Sequence, residues 1–429
     1  MGPRLARFTL ALLLFPAFAA VAAAQTQPLP QLPPDEEEAA KAEQAPPPLP
    51  PSPDRTTQPA ATGDRPRPWT YGLGVGAIYE SNIDFLTATG PSGLAVAPRG
   101  NVGRTFWSPK AQLRFNLDGR WRGYAQHSSL NRYYATGTVS ASYRSSPVLS
   151  WSAAAYYGSG HTDGVRLLAE QGVQLPLAKT RSVGASLGGN RKFGTATSLR
   201  AGISVNRTSF DDKQPAGAPL FDGQSLRGTF GLDRRLGPRN SGSLEYSVER
   251  NLSFGSAAAG NTGHYLTHFA SMSWNHVLSP RSGLLLDAGA SLTPNPGQAG
   301  LQRKAGFYGG ASFNRKVKRS NVALFARREV TPAFGYGVSR LDDRVGLSVD
   351  MPLARAWALR ANVLHVEPHA SGGSFLDARS DDAALGLSRR LGRRLEASAE
   401  GAYRRYGATA QAEARASYTV GAYLTLLNP

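Results

Sequence analysis

The 429-residue chain contains no cysteine. Disulfides, thiolate nucleophiles and cysteine metal ligands are therefore all excluded. Long apolar runs are also missing: past the first 24 residues, no stretch approaches the ~20 consecutive apolar residues that a spanning helix needs. Histidine is scarce, at seven residues. His264, His268 and His276 fall on one segment, but Leu266, Met272 and Trp274 share the face of His264 and His268. That setting suits a lipid interface better than a metal site. No Ser or Asp/His constellation can be assembled from these residues. The expectation is no catalytic residue, no metal and no cofactor. The run Gly72-x-Gly74-x-Gly76 is followed by no helix, so it is not a phosphate loop.

Alternation fills the rest of the chain. Ala111, Leu113, Phe115 and Leu117 alternate with Gln112, Arg114, Asn116 and Asp118. Ala305, Phe307, Ala311 and Phe313 alternate with Lys304, Tyr308, Ser312 and Asn314. In the first segment Trp69, Tyr71, Leu73, Val75, Ala77 and Tyr79 share a face, and Ile78 breaks the pattern on the other. A period of two gives each segment one apolar and one polar face. From Trp69 to Leu427 a strand, short basic turn, strand unit recurs about nine times, with turns at Leu236–Asn240, Leu278–Ser282, Val317–Ser320, Leu353–Arg355 and Leu391–Arg394. Longer Gly/Pro/Asp-rich loops join the units. Short turns at one end and long loops at the other predict an all-β fold: a transmembrane antiparallel β-barrel with short periplasmic turns and longer extracellular loops.

The flanks agree with export. Arg4 and Arg7 precede the apolar run Phe8–Phe15, and Ala22–Ala24 supplies a small-residue cleavage site, so 1–24 reads as a signal peptide. Residues 25–68 are Pro-rich with an acidic patch at Asp35–Glu38, and read as a disordered periplasmic tail, a spacer or a docking segment. Residues 69–429 read as the barrel in the bacterial cell outer membrane. Nineteen candidate strands emerge, among them 106–118, 120–132, 137–145 and 165–176. Single-chain bacterial barrels favour even numbers, so the expectation is about 18 strands, with 16 as the alternative and 165–176 as the weakest candidate. The long loops fall at 81–104, 209–222, 253–263, 294–302, 331–341 and 367–380.

Basic residues outnumber acidic ones 48 to 30, for a net charge of +18. Strand phase turns Lys110, Arg114, Arg227, Lys304, Arg327, Arg344, Arg360, Arg404 and Arg415 toward a lumen, together with Tyr308. It turns Glu245, Glu249, Asp287, Asp350, Glu396 and Glu400 the same way. Opposite charges across strands stabilise one another, so these groups should pair. The excess of positive charge falls at turns. Arg234, Arg235, Arg319, Arg393 and Arg394 mark a periplasmic rim, and Arg120, Arg122, Lys179 and Arg181 are read as part of it. Such a rim attracts anionic headgroups, an acidic polymer or an acidic partner. The basic residues are spread around a ring without stacking aromatics, which argues against nucleic acid.

The segment Gly76-Ala-Ile-Tyr79-Glu80-Ser-Asn82-Ile-Asp84-Phe resembles the opening of outer-membrane β-barrel proteins associated with exopolysaccharide secretion, and the strand, basic turn, strand units are similar too. The resemblance implies a large single-chain barrel that translocates a secreted polysaccharide, working with a periplasmic polysaccharide-export protein. A general diffusion porin for small anions or sugars is the alternative. Outer-membrane lipids are expected partners. The barrel-assembly machinery is another, because Thr419–Leu426 looks like its last-strand signal, although the chain ends Leu427-Asn428-Pro429 rather than on an aromatic residue.

Overall fold

A computed structural model of the chain describes residues 69–83, 90–161, 178–211, 220–254, 264–295, 305–333, 338–369, 378–408 and 413–428. The expected signal peptide, the tail and the candidate strand 165–176 lie outside the described residues.

Nineteen strand segments run in chain order: β1 (Thr70–Glu80), β2 (Gly93–Val96), β3 (Arg99–Trp107), β4 (Ala111–Tyr124), β5 (Arg132–Ser146), β6 (Leu149–His161), β7 (Lys179–Phe193), β8 (Thr197–Phe210), β9 (Asp222–Gly237) and β10 (Asn240–Phe254). They continue as β11 (His264–Ser279), β12 (Ser282–Leu292), β13 (Ala305–Val317), β14 (Ser320–Ala333), β15 (Val338–Pro352), β16 (Trp357–His369), β17 (Ser380–Arg390), β18 (Leu395–Tyr406) and β19 (Arg415–Leu427). β2 and β3 share one place in the sheet, because both pair with β1 on one side and β4 on the other. Pro98, which has no N–H to give to a ladder, falls in the break between them. β1 pairs with β19 from Gly72↔Leu427 to Glu80↔Thr419, closing an 18-stranded antiparallel barrel.

Three readings of the sequence are corrected here. Residues 81–104 are not a single loop, since β2 and most of β3 lie within them. The alternation there is hidden by Gly93, Gly100 and Gly103, which have no side chain to show it. The three candidates 106–118, 120–132 and 137–145 are redistributed among the end of β3, β4 and β5. Asp118-Gly119-Arg120 looks like a turn in sequence, yet it runs straight through β4, with Gly119 facing Ala135. Residues 338–341, assigned to a loop, open β15.

The outward face is apolar. Leu73, Val75, Leu187, Ile203, Phe230, Leu244, Leu385 and Val420 are exposed, and Phe307 is 83% exposed. On β7 the outward arginines Arg181 and Arg191 bracket Val183, Ala185, Leu187 and Gly189. Their ten-residue separation is about 33 Å along a strand. At the tilt of a membrane barrel this projects to about 25 Å, the height of the lipid-facing band. Trp121, Tyr133, Tyr157, Tyr403 and Tyr418 are exposed at the long-loop side, and Tyr143, Trp151 and Phe193 at the turn side, as aromatic girdles.

Candidate functional site: the inner wall of the barrel

Partners across a ladder share a face, so the registers carry one set of side chains around the inner wall. Two chains of alternating charge run along it. Arg200 bridges Asp233 (2.7 Å) and Glu245 (3.7 Å), and Arg227 bridges Glu245 (3.6 Å) and Glu249 (4.0 Å). The Arg227 guanidinium stands over the Phe269 ring, 5.5 Å from its centroid, and Tyr308 meets that ring edge-on. Further round the wall Arg327 bridges Asp287 (3.4 Å) and Glu329 (3.8 Å), while Arg344 joins Glu329 (2.8 Å) to Asp342 (3.2 Å). Arg340 then pairs with Asp342 at 2.7 Å. The partly exposed pairs among these stabilise little individually, whereas Arg340–Asp342 is fully buried. Their effect is to fix where charge sits along the wall.

The two ends of the wall differ. Toward the short turns the wall is more open, with the Arg200 side chain 44% exposed and that of Asp350 61%, although Glu396 and Thr425 are buried at the seam. Toward the long loops more of it is covered. Arg340 and Asp342 are 0% exposed and Thr267 is 1%. Thr180, Ser182, Thr208, Ser225, Ser247, Asn251, Thr293 and Ser380 are buried on the same face, with Ile78, Tyr124, Phe210, Tyr265, Val366 and Tyr406. A barrel of this strand number can leave an aqueous channel, in which inward side chains keep wet tips. A fully buried inward side chain has atoms above it as well as beside it. Many inward side chains of the long-loop half are therefore covered, and Ile78, the exception to the alternation, is among them.

Glu80 anchors this end. It is buried and accepts hydrogen bonds from Arg122 (3.0 Å), Arg132 (3.0 Å) and the Tyr124 hydroxyl (2.6 Å). Arg132 also donates to the Ile83 carbonyl at 3.1 Å. Asn82, with a left-handed φ of 50°, donates from Nδ2 to the Ala416 carbonyl at 3.2 Å. The Tyr79-Glu80-Ser-Asn82 element thus ties the end of β1 to β4, β5 and the start of β19.

At the closing seam, Arg99 reaches from β3 across β1 to Thr425 (3.4 Å), Ser398 (3.1 Å) and Glu400 (2.8 Å). Its guanidinium stacks 3.9 Å from the Tyr423 ring centroid. The inward glycines of β1 make room for this. A Cβ on Gly74 would lie 2.7 Å from Thr425 Oγ1, and one on Gly76 would lie 2.5 Å from the Ala422 carbonyl oxygen and overlap the Tyr423 ring.

The structure brings Arg227, Glu245 and Glu249 together, as it does Asp287, Arg327 and Arg344. Asp350 pairs with Arg360 (3.3 Å) and Arg404 with Asp382 (2.6 Å). Glu396 is buried opposite Thr425 and Arg390, and Arg415 faces Tyr406 across the register. Arg114 is an exposed β4 residue opposite Thr105 and Ser140. Lys110 is corrected, because it stands in the exposed turn between β3 and β4 rather than on the wall. Lys304 lies outside the described residues. Arg234, Arg235, Arg319, Arg393 and Arg394 all fall at the short-turn end. Arg120, Arg122, Lys179 and Arg181 do not: the first two lie within β4 toward the long loops, and the last two open β7 at that end. Sequence reasoning missed Arg99, Arg200, Arg340, Asp342 and Asp382. Arg340-x-Asp342-x-Arg344 carried the signal, three alternate charges in a segment taken partly for a loop.

No family model matches the sequence, and no curated protein does. Solved structures share the overall shape distantly. The ferric enterobactin receptor PfeA mutant of Pseudomonas aeruginosa is 7% identical, with a TM-score of 0.43 over 83% of this chain and 80% of its own. The copper transporter OprC is 10% identical, with a TM-score of 0.44 over 85% and 84%. The FrpB iron transporter of Neisseria meningitidis is 9% identical, with a TM-score of 0.44 over 85% and 83%. The expected polysaccharide translocation finds no counterpart among these structures, which are siderophore and metal receptors or transporters, and is not carried forward. The closed sheet, apolar outer band and aromatic girdles make the chain a β-barrel of the bacterial outer membrane, in contact with lipid.

Proposed function

We propose that this chain is a gated transport barrel for a small polar solute, shut at its long-loop end in the state described. The observation that carries this is the burial of inward-facing Arg340, Asp342 and Thr267 in a barrel wide enough to conduct. By the usual disposition of such barrels the shut end faces outward and the open vestibule faces the periplasm. Arg227, Glu245, Glu249, Arg327, Asp287 and Arg344 line the route, and Arg234, Arg235, Arg319, Arg393 and Arg394 form the periplasmic rim. Residues 1–24 direct export, 25–68 form a periplasmic tail, and β19 is the strand offered to the assembly machinery.

Planar-bilayer recording tests the reading. The unmodified protein should show rare, small openings. Asp342→Ala removes the carboxylate paired with the buried Arg340, a loss of about 3–5 kcal/mol at the closed end. It should raise open probability at least several-fold. The double change Arg340→Met with Asp342→Leu removes both charges and should restore closure, because apolar replacement of a buried pair is often neutral. A wide, permanently open conductance in the unmodified protein would refute gating.

A further inference from the structure

The outward face of β7 to β10 at the long-loop end carries a strip of positive charge in an unusual place. Arg181 faces Ser209 across the β7–β8 ladder, so Arg207, two residues back from Ser209, is its diagonal neighbour. Arg207 faces Gln224 on β9, and Gln224 faces Leu252 on β10, which makes Arg250 the next diagonal neighbour. Diagonal neighbours on one face lie ~7–8 Å apart, within reach of long side chains. Lys179 extends the strip by one position on β7. Arg207 and Arg250 are exposed, and among the described residues neither has an ion pair. Arg207 leans toward the Phe254 ring, 5.9 Å from its centroid. Two carboxylates lie nearby: Asp211 pairs with Arg181 at 3.1 Å, and Asp222 accepts the Phe210 backbone N–H at 2.9 Å.

This strip cannot face the solute route, because it is on the lipid side. Leu199, Ala201, Ile203 and Val205 lead up to Arg207 on the outward face of β8, and Leu244, Tyr246 and Val248 lead up to Arg250 on β10. The Arg181–Arg191 spacing puts Arg181 at the edge of the hydrocarbon band. A cation there extends its apolar stem along the band and its head into the headgroup layer. General affinity for lipid would spread such groups around the rim. The same end of β19, β1, β4 and β5 instead presents Tyr418, Tyr79, Trp121 and Tyr133. On β14 to β17, Arg328, His365 and His369 are matched by Asp343, Glu367 and Asp381. Just before β17 and on β18 the exposed Arg379 and Arg405 stand beside Asp381, so the net excess of positive charge falls on the sector of β7 to β10.

We propose that Arg181, Arg207 and Arg250, with Gln224 as a neutral donor between them, bind the phosphate of an outer-leaflet phosphorylated glycolipid. Guanidinium groups meet phosphate oxygens with paired hydrogen bonds. The proposal stands on outer-membrane residence and does not depend on gating.

Native mass spectrometry of the full chain in detergent tests it, with lipid A carrying both phosphates and its dephosphorylated counterpart as probes. The unmodified protein should retain the phosphorylated form at least tenfold better. The triple change Arg181→Gln, Arg207→Gln and Arg250→Gln should abolish that preference. Arg191→Gln with Arg234→Gln, at the opposite interface, should leave it intact. Should the triple variant fail to give the heat-modifiable folded form, Arg250→Gln alone is measured and should weaken retention severalfold. Equal retention of the two lipids by the unmodified protein overturns the proposal, as does undiminished preference in the folded variants.

Discussion

At the scale of single residues, the wall of the barrel discriminates sharply between neighbours. Leu385 is exposed outward in mid-β17, opposite Ala361, while Gly386 faces inward toward Arg360 and Glu400. Leu385→Arg puts a charge into hydrocarbon and should cost about 2–4 kcal/mol. Gly386→Ser, inward with only Glu400 Cγ near at 3.9 Å, should be tolerated. Urea titration of protein refolded into vesicles measures both, and equal losses would reverse the assigned phase. Glycines divide in the same way. Gly76→Val would drive into the Tyr423 ring and the Ala422 carbonyl and should abolish the folded, heat-modifiable band on gels. Gly119→Ala has open space around the added carbon and should leave that band unchanged.

At the scale of elements, the seam is the place where chain ends separated by the whole barrel must meet. β1 and β19 are joined by their ladder and by the Arg99 clasp, which reaches over β1 to Ser398, Glu400 and Thr425. The Arg99 side chain is mostly buried and the Glu400 side chain 42% exposed, so solvent screens the pair only in part. Removing either partner should loosen the seam. In a double-mutant cycle, Arg99→Ala and Glu400→Ala should couple by roughly 0.5–3 kcal/mol, because they share one contact. Additive losses would mean that the clasp contributes nothing beyond its separate packing. Glu80 works similarly at the far end. Glu80→Gln keeps the shape but removes the charge that faces Arg122 and Arg132, and it should increase proteolysis at the long-loop end before the barrel unfolds.

For the whole molecule, an apolar outer band around a polar wall requires lipid outside. Density fractionation should find the protein with outer-membrane markers, and recovery from the soluble periplasm would contradict the architecture. The distribution of charge is a whole-molecule property as well. The short-turn end carries the basic rim, the inner wall carries alternating ion pairs, and one outward sector at the long-loop end carries the remaining concentrated positive strip. Net charge alone could have been assigned to any of these surfaces.

The sequence by itself determined the class of fold, the turn positions and the phase of most strands. Alternation and turn chemistry are local, and a strand of 11 to 16 residues repeats its period often enough to be read. Phe307 against Tyr308 and Leu385 against Gly386 were legible for that reason. Local signal failed where glycine replaced side chains, in β3, and where a Gly-containing run imitated a turn, in β4. Those two errors misplaced Arg120 and Arg122 and hid Arg99. Tertiary structure alone decided the closure of β1 on β19, the pairing of Arg340 with a buried Asp342, and the burial of inward side chains in the long-loop half. Registers between strands far apart in sequence, and burial from above an inward side chain, depend on what the rest of the chain brings alongside, which no local pattern encodes.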